Sequence, residues 1–370
     1  MNPIAVYVHV PFCPTKCGYC DFNSYAMDGP IVERTVRAMV AEIGRSPLAG
    51  RPAKTIFFGG GTPTFLDAPS QLRILDAVLT AHPPLAGCEI TSEANPGTVD
   101  AEKFRALKEG GFNRLSLGAQ SFLDSDLIRL GRVHRAREIE RAVGLARDAG
   151  FDNLNLDLMF ALPNQSPKGW SANLETALKL APEHLSLYCL TIEENTAFYR
   201  ERLRGELVLP QEEDQVEMYE ECCRRVAEGG YEQYEISNFS RPGLECRHNL
   251  EYWRGAEYTG YGPGAVASYE TDGGRVRTTN WKHPVQFCER VEAGQPTPFE
   301  TERLSPDTLG IERMMLGLRL NKGLEIAGAE LPSRGLAKCL DRGWVEVSDE
   351  RLRLTPEGRH FCSEVALELL

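Results

Sequence analysis

The chain has 370 residues, 42% of them hydrophobic, and carries a formal net charge of −12. That length suits two or three domains with a full core. The acidity excludes a dedicated nucleic-acid binder, whose usual footprint is a domain pI above about 9, and the absence of any run of about 18 apolar residues excludes a helical membrane span. The first apolar run has no basic stretch before it and leads straight into cysteines, so the expected location is the cytoplasm. Eleven cysteines, an odd and scattered set, do not make a disulfide framework.

In chain order, short apolar runs at 5–10, 55–58, 89–92, 114–117, 154–160 and 184–190 alternate with helical patterns such as 31–43, 70–79 and 137–149. Strands alternating with helices of this length predict βαβ units and a parallel sheet. Six units in about 190 residues fall short of the ~250 of a closed eight-unit barrel. The expected fold class is therefore α/β, an open (β/α)6 partial barrel, with a ligand site at the C-terminal ends of its strands.

The segments after those strands carry the polar residues. The first is followed by Cys13-Pro-Thr-Lys-Cys17-Gly-Tyr-Cys20, a Cx3CxxC. Thiolates select zinc, Cu(I) or iron–sulfur clusters. A zinc site usually has four ligands, and here no fourth lies nearby; three on a four-iron cube leave one iron open. An incomplete zinc site is the other reading. The second strand is followed by Gly59-Gly60-Gly61-Thr62-Pro63-Thr64, either a tight turn or a loop presenting its N–H groups to a ligand. Later strand ends supply Glu93, Gln120, Arg132 and Asp157. Arg132 suits bidentate capture of a carboxylate, and Asp157, ionisable within an apolar strand, is expected to face a polar ligand.

The cysteine spacing resembles the radical S-adenosylmethionine (SAM) superfamily. YVHVPFC, GGGTPT, SEANP, LGAQS, LGRVH and LDLMFALP together resemble its coproporphyrinogen-oxidase-like family. That resemblance implies a [4Fe–4S] cluster on Cys13, Cys17 and Cys20, SAM contacts at Tyr7, Tyr19, Gly60, Gly61, Thr62, Glu93, Gln120, Arg132, Asp157 and Thr191, and an electron donor for the cluster. Two branches must be separated. The oxygen-independent coproporphyrinogen III oxidases, radical SAM oxidative decarboxylases, carry a fourth cysteine two residues after the third, where this chain has Phe22. Cys20-Asp-Phe22-Asn-Ser24 and the HNxxYW stretch from His248 to Trp253 instead resemble the HemW-type branch, regarded as haem chaperones. Those bind haem and pass it to an acceptor protein, here unknown, and the catalytic assignment stays open.

His248 is the haem-ligand candidate, imidazole being a common axial ligand, with Cys246 as a soft alternative. The other reading has His248 capping a turn and Tyr252 and Trp253 packing in the core. His9, His134 and His184 are expected to be structural. Residues 258–268, rich in glycine, predict either a loop over the barrel mouth or a packed turn. Asp272-Gly273-Gly274 predicts a hairpin, and 294–298 a linker. From Leu304, two helical patterns followed by β patterns at 344–347 and 351–354 and a helix from Pro356 predict a winged-helix-like α+β module. Its acidic setting favours a lid or docking role over DNA. The expected division is 1–195 barrel, 196–300 barrel-associated segment with the HNxxYW motif, and 301–370 C-terminal module.

Overall fold

The computed structural model describes residues 2–326 and 332–370. Its centre is six parallel strands: β1 (Ile4–Val10), β2 (Ala53–Gly60), β3 (Pro84–Ala94), β4 (Arg114–Gln120), β5 (Leu154–Phe160) and β6 (His184–Cys189). They pair in chain order, with helices such as Pro30–Gly44, Ala68–Ala81 and Ala136–Asp148 crossing between them. Strands β1 and β6 do not meet, so the barrel is open.

Later strands extend both free edges. On one side β7 (Glu232–Glu235) and β8 (Asn238–Ser240) form a hairpin, with β8 antiparallel to β6. On the other, β9 (Tyr258–Tyr261) runs parallel to β1, followed outward by β10 (Val266–Thr271), β11 (Gly274–Asn280) and β12 (Pro298–Arg303). Residues 196–300 thus complete the barrel sheet at its two edges. The expected linker at 294–298 is a turn and loop over 294–297 that ends at Pro298, the first residue of β12, opposite Asn280. The glycine-rich 258–268 stretch is β9 and a packed turn, not a loop over the mouth.

The strand sequences show why a cavity sits inside. Side chains alternate across a strand. One set, including Val6, Val8, Ile56, Phe58, Leu115, Leu117, Leu156 and Leu158, is fully buried in the main core under the helices. The other set turns inward: Tyr7, Phe57, Glu93, Arg114, Ser116, Asn155, Asp157, Ser186 and Tyr188 line one chamber, so all six strands curl around it.

The C-terminal module runs helix Pro306–Gly317, β13 (Leu324–Glu325), helix Ser333–Asp341, then the β14 (Val345–Ser348) and β15 (Arg351–Leu354) hairpin. Its three strands form a separate sheet around a core that includes Leu318, Cys339, Trp344 and Leu352. This is the winged-helix-like arrangement. The last helix starts at Cys362, because a 3-10 turn over Gly358–Phe361 comes first.

Glu42 ties the first helix to the β9 edge. Its carboxyl accepts from Gly262 N at 2.8 Å and Asn280 Nδ2 at 2.6 Å. Burial pushes it from 4.5 up to about 7. The folded state therefore binds more protons than the unfolded one between those values, so this group's contribution to stability falls as pH rises through that window and is level above it. In urea denaturation, the stability difference between wild type and Glu42→Gln should shift against wild type as pH rises from about 4.5 to 7. A difference independent of pH would remove this assignment.

Candidate cofactor cavity

A cavity of about 360 Å³ opens at the C-terminal ends of the strands. Twelve of the fourteen candidate residues line it: the three cysteines, Tyr19, Gly60, Gly61, Thr62, Glu93, Gln120, Arg132, Asp157 and Thr191. Tyr7 and His248 lie beneath, in a smaller chamber.

The cysteine loop is held from several sides. Gly18 accepts from Phe198 N at 2.9 Å and donates to Leu130 O at 3.2 Å. A Cβ at Gly18 would come within 2.7 Å of the Phe198 ring, so only glycine permits this approach. Asn23 anchors the far end: its carbonyl meets His9 Nε2 at 2.8 Å, and its amide donates to Pro263 O at 3.0 Å. The turn after β9 thus buttresses the cysteine loop.

Cys13 Sγ lies 3.4 Å from Thr62 Oγ1. Cys17 Sγ accepts from Arg132 Nη1 at 3.6 Å, while Arg132 Nη2 donates to Gly118 O at 2.8 Å. The guanidinium therefore bridges the end of β4 and the thiols. Among the described residues no three His, Cys, Asp or Glu side chains are close enough together to grip one metal ion. Three thiols on one cavity wall fit a cluster that takes each thiolate on a different iron.

Of the two readings of the glycine loop, its backbone bonding fits the turn. Gly61 N donates to Val10 O and Thr62 N to Phe12 O, both at 2.7 Å, and the Gly60 amide leans on the Glu93 carboxyl. These N–H groups serve the fold rather than standing free for a ligand. The glycines are needed for space: Gly60 has φ +104°, and a Cβ there would sit 2.5 Å from the His9 ring. Gln120 reaches the cavity through a register shift in β4 and a left-handed φ of 65°, a backbone cost usually paid at ligand sites. Burial, with the Asp157 charge second, pushes the Glu93 carboxyl up to about 8. Asp157 accepts from Asn155 Nδ2 at 2.8 Å and Ser116 Oγ at 2.9 Å.

His248 is not placed for haem ligation here. It is 1% exposed, and its Nδ1 meets Thr55 Oγ1 at 2.8 Å and its Nε2 meets Tyr252 OH at 3.2 Å. Burial lowers its pKa to about 3, so it is neutral. Phe57 stacks on the ring at 5.0 Å. Cys246 is also fully buried and donates to Glu89 Oε1. The Arg247–Trp253 helix closes the barrel floor, with Glu89 accepting from the backbone N–H groups of Arg247 and His248, each at 3.1 Å.

Comparison with known proteins agrees with this geometry. The radical SAM superfamily model matches residues 7–177 and the HemN C-terminal domain model residues 304–361. The chain is 38% identical to the heme chaperone HemW of Bacillus subtilis over 98% of its own length and 97% of that protein. It is 42% identical to the heme chaperone HemW of Escherichia coli over 78% of its length and 76% of that protein. The chain belongs to the HemW-type family of the radical SAM superfamily. Among solved structures, the coproporphyrinogen III oxidase (HemN) of Escherichia coli covers all of this chain, which spans 90% of that one, with a TM-score of 0.85 at 24% identity, a likeness of fold.

The family's C-terminal module docks on the floor, not over the mouth, so a lid role is not what this arrangement provides. Arg319 stacks on Trp253 at 4.5 Å and pairs with the fully buried Glu235 at 3.1 Å. Asn321 N donates to Tyr234 O at 3.0 Å. Arg319→Met takes the cation from the Glu235 carboxylate, which keeps donors at Ser237 N and Asn238 Nδ2, and since Arg319 is partly exposed the cost should be about 2 kcal/mol in urea denaturation. A change within about 0.5 kcal/mol would show that the pair does not hold the module.

Proposed function

We propose that this protein is a haem chaperone that holds a [4Fe–4S] cluster on Cys13, Cys17 and Cys20, binds SAM in the cavity beside it, and passes haem to an acceptor protein. The observation that carries this reading is the convergence of three thiols, Arg132 and the strand-end polar groups on one cavity whose rim bears Phe22 where the oxidase branch has a fourth thiol. The relatives named heme chaperones match over nearly the whole chain.

When bound, the cluster would supply an open iron for the amino and carboxylate groups of SAM and accept an electron from a donor protein. This chain's residues do the rest. Arg132 holds positive charge at the thiols, Glu93 and Asp157 offer hydrogen-bonding oxygens to an amino group or ribose, and Thr62 steadies Cys13. Since His248 is spent within the barrel floor, the haem contact is assigned to the cavity and its rim.

Anaerobic reconstitution should give about four irons per chain, lost in Cys17→Ser. Haem titration of that protein should saturate, and His248→Ala should lower stability more than haem affinity. Absence of saturable haem binding would remove the chaperone reading. Oxidation of coproporphyrinogen III to protoporphyrinogen, with SAM and a low-potential reductant, would replace it with the decarboxylase.

A further inference from the structure

Beneath the cofactor cavity lies the second chamber, of about 170 Å³. Glu93, Ser116, Asp157 and Tyr188 line both spaces, so the two are contiguous. Arg114 stands in the lower one. It is 2% exposed, and its Nε is buried without a partner. Its guanidinium makes no hydrogen bond and no ion pair among the described residues.

The acids around it are already engaged. Glu89 accepts from Cys246 Sγ and two backbone N–H groups, and Asp157 from Asn155 and Ser116. Asn249, the second residue of the HNxxYW motif, also lines the chamber, and its side-chain amide has no hydrogen-bond partner among the described residues. Glu89 and Asp157 lie close enough for their charges to favour the guanidinium's, yet neither accepts a hydrogen bond from it, and a buried donor left unpaired is costly. Its planar fork suits a carboxylate bidentately. A space this small takes an arm of a ligand rather than a nucleoside or a macrocycle, whose pockets run to about 300 Å³ and more.

We propose that the Arg114 chamber is a carboxylate subsite, which receives the carboxylate arm of a ligand seated in the cavity above, with Asn249 as a second donor. It rests on the reading that this cavity binds haem beside SAM; with the SAM carboxylate assigned above to the open iron, the group that fits is a haem propionate. Arg132, beside the thiols, is a separate guanidinium and does not line this chamber.

The test uses the anaerobically reconstituted full chain. Affinities are measured for haem and its dimethyl ester on wild type and on Arg114→Gln. Blocking the propionates should weaken wild-type binding about tenfold or more, and that difference should vanish in Arg114→Gln. If the ester binds wild type within about threefold of haem, ordered water alone completes Arg114 and the subsite is refuted, whether or not the variant folds. A difference that persists in Arg114→Gln assigns the carboxylate to other groups and refutes it equally. If wild type does not bind haem, the proposed function falls and the subsite with it, a result distinct from the other two.

Discussion

Because strands β3 to β6 turn Glu89, Glu93, Arg114, Asn155, Asp157 and His184 inward, the barrel cannot be filled by layers of branched apolar side chains, as closed eight-stranded barrels are. Each inward polar group must find a partner or bear a desolvation cost. Most do so in a chain. Tyr234 OH meets His184 Nε2 at 2.8 Å, His184 Nδ1 meets Asn155 Oδ1 at 2.6 Å, and Asn155 Nδ2 donates to Asp157. Burial and the Arg114 charge hold His184 well below its ordinary pKa, so the imidazole is neutral and can serve as donor on one side and acceptor on the other. Space that an apolar core would occupy is thereby left as cavity.

The same constraint explains the barrel floor. An acid such as Glu89, 3% exposed, needs donors, and the Arg247–Trp253 helix brings backbone N–H groups to it. Once there, that helix has two faces in use. His248 turns toward Thr55 and Phe57 with Tyr252 beside it, while Trp253 turns toward Arg319 of the C-terminal module. A cation over an indole is worth about 1–2 kcal/mol when partly desolvated, and the Glu235 pair adds to it. Glu235 is the chain neighbour of Tyr234, whose hydroxyl begins the bonds leading to Asp157. The module's dock and the wall of the cavity are therefore joined through one four-residue strand, β7.

Much of this was legible in the sequence. The six strands, the open barrel and the C-terminal module follow from periodicity, and the cysteines and strand-end polar groups from their place after each strand. Arg114 and Asn155 do not stand out as site residues while their strands read as apolar runs. The signal was present in the period-two patterns Glu89-x-Thr91-x-Glu93, Arg114-x-Ser116 and Asn155-x-Asp157, which differ from the continuous apolar runs of a strand buried on both faces. The destination of His248 was not readable, because its partner Thr55 lies 193 residues away and only the closed floor brings them together. The choice between the two readings of the glycine loop is hidden for a similar reason: the acceptors of its N–H groups, Val10 and Phe12, come from the preceding strand end.

Phe22 gives the cavity a direction. It is 62% exposed at the mouth, alongside Val133 at 44% and Tyr188 at 38%. A thiol at that position could exchange a hydrogen atom or bind metal; a phenyl ring can only offer an apolar face. The mouth thus carries apolar faces among the charged residues Lys16, Asp21 and Glu193, the chamber around Arg114 is the cationic end, and the hydrogen-bonding oxygens of Glu93 and Asp157 lie between. A ligand with a flat apolar body and a carboxylate arm matches that gradient, body outward and arm inward, and haem has this form. An exposed aromatic rim is also where a partner could take over the apolar face of a departing ligand without first unfolding the site. The residue that stands where the oxidases carry a fourth cysteine therefore supplies apolar contact area at the rim.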